Sequence, residues 1–338
     1  MRRDMRKWKD SVLSSKKRLA VPVMTHPGIA LRGNTVLATV RDPQLHYEAV
    51  RAVAQKYPTA ASTMIMDLSV EAEAFGSNVR FSDDEVPSVV GRCVEDADSI
   101  ERLQIPAQTE ARVGQWIEAC RLAANSISDR PVFAGCIGPF SLAARLYDVT
   151  EILTTILIEP ESVHSLLEKT TQFLISYVKS FKAVGANGVL IAEPVAGVLS
   201  SDLCTEFSSK FVGRIVEEVQ DDNFFVILHN CGDTDTLVQS MHGTGAAGLH
   251  FGNRCTIVDA LAQLPQDTIV FGNLDPVGIF KSGTPGIVRS ETLRLLAATG
   301  SYPNFIISSG CDVPPNVPLE NIDAFFGALR EFNDGRSG

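Results

Sequence analysis

The sequence predicts an α/β fold, a (β/α)8 barrel of the TIM type. Eight short apolar or β-branched runs recur along 338 residues, each ending in Gly, Pro, Asp or Asn, with amphipathic stretches of helical period between them. No glycine-rich phosphate loop follows any of these runs, which weakens the doubly wound open sheet as an alternative. The length agrees, because such a barrel takes about 250 residues and more with insertions.

The first strand is expected at 21–25, before His26-Pro27-Gly28, and the second at 62–67. The third covers 132–137, ending at Gly138-Pro139, and the fourth 188–192, ending at Glu193-Pro194. The fifth, 224–229, runs into Asn230-Cys231-Gly232, and the sixth covers 247–251. The seventh, 269–272, leads to Asn273-Leu274-Asp275-Pro276, and the eighth, 305–308, to Gly310-Cys311-Asp312. The clearest helical stretches are 43–55, 111–126, 160–184, 201–219, 257–264 and 285–298.

The first 18 residues are basic and lack the apolar stretch of a signal peptide. They read as a short solvated helix feeding the first strand. Arg2, Arg3, Arg6, Lys7 and Lys9 are either an ordinary charged terminus or a contact for an acidic partner. Residues 71–110 carry little strand signal and read as an insertion after the second strand, placed to cover the barrel mouth. With no repeat or linker, residues 1–338 are expected to form a single barrel domain with an N-terminal helical extension.

A net charge of −10 argues against a nucleic-acid surface, which needs clustered Lys and Arg. No apolar run approaches the roughly 20 residues that span a bilayer. Seven scattered cysteines, an odd number, do not resemble a disulfide framework. A cytoplasmic protein with reduced, mostly buried thiols is expected.

Barrel active sites lie at the C-terminal ends of the strands. The ionisable residues expected there are His26, Asp67, Glu71, Glu193, His229, Cys231, His250, Asp275 and Cys311. His229 and Cys231 are two apart, so at a strand end they point the same way and can reach one ion. Imidazole and thiolate are zinc ligands, and Cys311, at the end of the eighth strand, supplies a third. Three protein ligands leave a position open for substrate. The plain alternative is a buried histidine with two inert core thiols. Gly232 and Gly310 flank the cysteines and permit tight turns.

Several segments resemble one known family over nearly the whole chain. They are Val21-Pro22-Val23-Met24-Thr25, Met66-Asp67-Leu68-Ser69-Val70-Glu71, Gly135-Cys136-Ile137-Gly138-Pro139, Ile191-Ala192-Glu193-Pro194, His229-Asn230-Cys231-Gly232, Gly272-Asn273-Leu274-Asp275-Pro276 and Gly310-Cys311-Asp312-Val313-Pro314. The resemblance is to the uroporphyrinogen decarboxylase superfamily, and within it to the zinc-dependent methylcobamide:coenzyme M methyltransferases. It implies that His229, Cys231 and Cys311 are the zinc ligands. It implies a methyl group arriving on the cobalt of a methylcobamide carried by a separate corrinoid protein. The acceptor would be a thiol such as coenzyme M, or in bacterial relatives tetrahydrofolate or another molecule.

Two departures stand out. The Arg-rich N-terminal segment of the decarboxylases is absent; Thr25-His26-Pro27-Gly28-Ile29-Ala30 stands there instead. Where the methyltransferases end the sixth strand with a small residue and, two places on, an acid, this chain has His250 and Gly252. His250 is then a fourth zinc ligand, a substrate contact or a core histidine. Glu193 is a displaceable fourth ligand or an acceptor orienting His229. Asp67 and Glu71 bind substrate or cap a helix, as does Asp275, and His26, Arg32 and Arg145 are candidates to hold an anionic acceptor group. Decarboxylation of a tetrapyrrole acid, or a non-catalytic barrel subunit, are the competing functions.

Overall fold

The computed structural model describes residues 3–336, so Arg2 of the basic patch lies outside the described residues. Nine strands occur among them: β1 (Ser62–Thr63), β2 (Asn78–Arg80), β3 (Ser88–Val90), β4 (Val132–Ile137), β5 (Gly188–Ala192), β6 (Phe225–Asn230), β7 (Gly248–Phe251), β8 (Ile269–Leu274) and β9 (Phe305–Ser309). β2 and β3 make a separate antiparallel hairpin. The other seven form one parallel sheet in the order β1-β4-β5-β6-β7-β8-β9.

Residues 19–23 fill the eighth place. Ala20 bridges Ile307 in parallel, Val21 N–H donates to Ile307 O, and Ile307 N–H donates to Leu19 O. On the other edge Ala60 N–H donates to Ala20 O at 2.8 Å, so the sheet closes into a barrel. The expected strand over 21–25 is cut short because Thr25–Arg32 is helical. The expected strand over 62–67 keeps regular pairing only at Ser62–Thr63. The other six expected strands lie where the sequence put them, within a residue or two at each end.

Alternate residues fill the lumen, as strand pleating requires. Phe133, Leu190, Phe225, Ile227, Phe271 and Ile306 share one inner apolar cluster, whereas Ala134, Ile191, Val226, Leu228 and Ile307 face the outer helices. Among those helices are Pro43–Lys56, Val113–Ser126, Pro160–Ala183 and Pro285–Ala298, each on an expected stretch. Pro139–Tyr147, Val149–Ile158 and Leu319–Gly335 add to them.

The N-terminal helix corrects an expectation. Met5–Leu13 is capped by Asp4, whose carboxylate accepts the Lys7 N–H, and it buries Met5, Trp8 and Val12. These three join the inner cluster, with Trp8 edge-on to Phe133 at 5.8 Å and its indole N–H donating to Ala60 O. The segment plugs the N-terminal end of the barrel, because an i, i+3, i+7 apolar stripe outweighs its basic face. Arg6 and Lys9 pair with Asp222 and Asp267 of this chain.

Within 71–110 lie the β2–β3 hairpin and helix Ala97–Arg102. Lys169 anchors this segment by donating to the carbonyls of Ile100, Glu101 and Leu103. Phe81 lies under the Arg112 and Arg41 guanidiniums. No described helix is long and apolar enough to cross a membrane.

Candidate metal centre

His229 is the fifth residue of β6 and Cys231 follows its last residue, so both keep the inward parity of Phe225 and Ile227. Cys311 lies two residues past the end of β9. One ligand atom from each of His229, Cys231 and Cys311 lies within 4.8 Å of the other two. The His229 Nε2 is buried without any hydrogen-bond partner. An orphaned imidazole nitrogen beside two sulfurs is a nitrogen–sulfur donor set that suits zinc, with room for a further ligand. Glycines let the surrounding backbone close in. A Cβ at Gly252 would lie 2.5 Å from Cys231 Cα, and one at Gly310 would lie 2.5 Å from Asn253 N.

The two thiols do not behave alike. The hydrogen bond from Cys311, with His229 beside it, pulls Cys231 well below the ordinary thiol value against the effect of burial. Cys311 is pushed up, first by Cys231 and then by burial. The pair therefore holds one thiolate readily, as metal-ligating cysteines must. A small cavity of about 80 Å³ opens beside it. Val23, Met66, Leu68, Leu190, Ala192 and Pro194 form its apolar wall, and Asp312 is its one carboxylate.

His250 is the neighbour of His229 on β7, since the strand register pairs the two residues directly. Its Nδ1 lies 2.8 Å from His229 Nδ1, and its Nε2 lies 2.8 Å from Ser308 Oγ. Both ring nitrogens of His250 are thus engaged within the protein. Burial, then His229, holds its pKa well below the usual imidazole value, so it is neutral.

Glu193 is fully enclosed. Its Oε1 accepts the Phe140 N–H, and its Oε2 accepts the N–H and hydroxyl of Ser141. Burial lifts its pKa to about 6 against the pull of those donors. The carboxylate thus closes the first turn of helix Pro139–Tyr147, and the acceptor beside His229 is His250. Asp67 accepts from Ser69 and forms a buried ion pair with Arg112 at 2.6 Å. Arg112 also pairs with Glu73. Asp275 accepts the N–H groups of Val277 and Gly278 and so caps the turn it starts. Burial lifts Glu71 to about 8; its Oε1 accepts the Ile137 N–H, and its Oε2 has no partner.

His26 sits at the cavity's edge through Asp312. Its Nδ1 lies 3.1 Å from Asp312 Oδ2, and its Nε2 is buried without a partner. Burial opposes a charge on this ring, but Asp312 prevails and raises its pKa. Arg32 is occupied at the surface by Glu48, and Arg145 has a buried Nε without a partner. Sequence reasoning missed Ser308 and Asp312. Parity offered a signal for the first, because Ile306, Ser308 and Gly310 alternate on the inner face.

The uroporphyrinogen decarboxylase (URO-D) family model matches residues 18–332. The chain belongs to the uroporphyrinogen decarboxylase family. Within it, the chain is 26% identical over 326 residues to the methylcobamide:CoM methyltransferase MtbA of Methanosarcina acetivorans, covering 92% of this chain and 94% of that one. It is 27% identical over 302 residues to the uroporphyrinogen decarboxylase of Alkalilimnicola ehrlichii, covering 86% and 81%. Among solved structures, a methyltransferase from Methanosarcina mazei superposes with a TM-score of 0.86 at 21% identity, covering 95% of this chain and 97% of that one. A B12-independent methionine synthase from a Shewanella species gives 0.63 at 11% identity, covering 94% and 96%. These structures share the barrel fold of the URO-D family.

Proposed function

We propose that this chain is a zinc-dependent methyltransferase that moves a methyl group from a methylated corrinoid, carried by a separate protein, to a small thiol or related acceptor. Two observations carry this reading: one ring nitrogen of His229 and the sulfurs of Cys231 and Cys311 lie within 4.8 Å of one another, and His229 Nε2 has no partner within the protein. His229, Cys231 and Cys311 would hold the ion. What zinc supplies in such a setting is a lowered pKa for an incoming thiol whose sulfur stays nucleophilic.

The remaining work falls to this chain's own side chains. Cys231 and Cys311, as thiolates, would balance the two charges of the ion, so an acceptor sulfur bound there would keep its electron density. Met66, Leu68, Leu190 and Pro194 wall the adjoining cavity with apolar atoms. They exclude water from the carbon next to the sulfur and orient it. Asp312 is held by Thr25 and His26, which keeps its charge from facing the cavity unpaired.

The decarboxylase reading fits this cavity poorly. A cavity of about 80 Å³ is far below the several hundred that a large ligand fills, and no Lys or Arg lines it to receive a polycarboxylate. Coenzyme M and simple alkyl thiols match the size of this cavity and are the acceptors to test first, with tetrahydrofolate as the large acceptor that the same size argument disfavours.

The experiment is metal analysis joined to an assay with methylcobalamin and a panel of thiols and folates, following the cobalt spectrum. About one equivalent of zinc and loss of methyl from cobalt are expected, and Cys311→Ala should lose both. A metal-free protein that decarboxylates uroporphyrinogen would overturn the proposal.

A further inference from the structure

We propose that His250 and Ser308 act as a proton-locked relay that fixes the tautomer of His229 and reserves its Nε2 for the metal. The inference rests on the reading of His229 as a metal ligand.

The directions of the hydrogen bonds can be worked out from one end. Ser308 Oγ lies 2.8 Å from the carbonyl oxygen of Val21, and a carbonyl only accepts, so the hydroxyl hydrogen is spent there. Ser308 can then only accept from His250 Nε2, 2.8 Å away, so His250 carries its proton on Nε2. A neutral ring protonated at Nε2 has a lone pair on Nδ1. That lone pair faces His229 Nδ1 at 2.8 Å, so the hydrogen between them belongs to His229. A second contact points the same way. The His250 carbonyl oxygen, which can only accept, lies 3.2 Å from His229 Nδ1, so that nitrogen is the one that carries the hydrogen. His229 is left with its lone pair on Nε2, the atom that has no partner within the protein.

The fold imposes this chain rather than permitting it. Register places His229 opposite His250, and Ser308 comes from β9 across the lumen. All three residues are at least 96% buried, so water does not substitute for a missing link. A ligating imidazole commonly hands its other nitrogen to a carboxylate or carbonyl. Here a neutral histidine takes that place, so the relay orients the ring without adding negative charge to the two sulfurs. His250 and Ser308 are positioning residues, acting on the metal through His229.

The test uses the full chain with histidine labelled in nitrogen-15, reduced and metal-free, then titrated with zinc alone against a chromophoric chelator. Before zinc, the ring nitrogens should report His229 protonated at Nδ1 and His250 at Nε2. His250→Phe should weaken zinc binding by about 10- to 100-fold. His250→Asn, whose amide oxygen can take the place of Nδ1, should restore most of the loss. A His250 ring protonated at Nδ1, or wild-type zinc affinity in His250→Phe, would overturn the relay. The tautomer measurement needs no variant, so a substitution that fails to fold does not decide the matter. If the tautomers are as assigned but zinc does not bind, the relay stands and the proposed function fails.

Discussion

Glu193 grips Ser141 twice, taking its backbone N–H at 2.8 Å and its hydroxyl at 2.6 Å on one carboxylate oxygen. The other oxygen takes the Phe140 N–H at 2.9 Å. A carboxylate at the end of β5 therefore ties down the helix that leaves β4. Glu193→Gln turns one oxygen into an NH2 group facing a donor, so one buried N–H loses its partner. A loss of about 1–3 kcal/mol in urea unfolding is expected, with zinc content unchanged. Loss of zinc at unaltered stability would place Glu193 at the metal instead.

Gly252 should resist even alanine. A Cβ there would meet backbone atoms of Cys231 at 2.5–2.9 Å, and backbone cannot swing aside as a flexible side chain does. Gly252→Ala is expected to displace Cys231 and lower zinc affinity at least tenfold, read by chelator competition. Unchanged affinity would show that the loop has slack.

Glu71 makes stability fall as pH rises. Its folded pKa, about 8, lies above the usual carboxyl value because burial outweighs its hydrogen bonds. The protonated carboxyl's contribution is complete below the unfolded value, near pH 4.5, and is lost as pH climbs through 8. Glu71→Gln mimics the protonated form and lacks that slope. Its stability relative to wild type should improve between pH 5 and 8, by up to about 1.4 kcal/mol per pH unit. Parallel denaturation curves over that range would refute it.

Trp8→Ala should cost about 3–5 kcal/mol, because the ring is buried in the barrel floor against Phe133 and its removal leaves a cavity there. Denaturation midpoints measure this. A cost below 1 kcal/mol would mean that the helix rests on the barrel without sealing it.

Much of the barrel was legible because its strands end in residues that stop strands. Glu193-Pro194 and Asn230-Cys231-Gly232 mark such ends without any tertiary knowledge. Where reading failed, a local signal had been outvoted. Thr25–Gly28 looked like the close of a strand and is the first turn of a helix. The candidate ligands were legible because histidine and cysteine declare their chemistry. Ser308 was not, since a serine in a strand looks like any small residue until the strand opposite is known. Glu193 and Asp67 show the converse, as their partners Ser141 and Arg112 are distant in sequence and no spacing pairs them.

The sealed floor has a bearing on traffic. With Met5, Trp8 and Val12 packed into the lower end, that floor offers no route to His229, and the cavity beside His229 at the top is the doorway. A bulky carrier seated over that doorway would shut in anything already inside. Two reactants of unequal size would have to queue, the smaller entering first and leaving last.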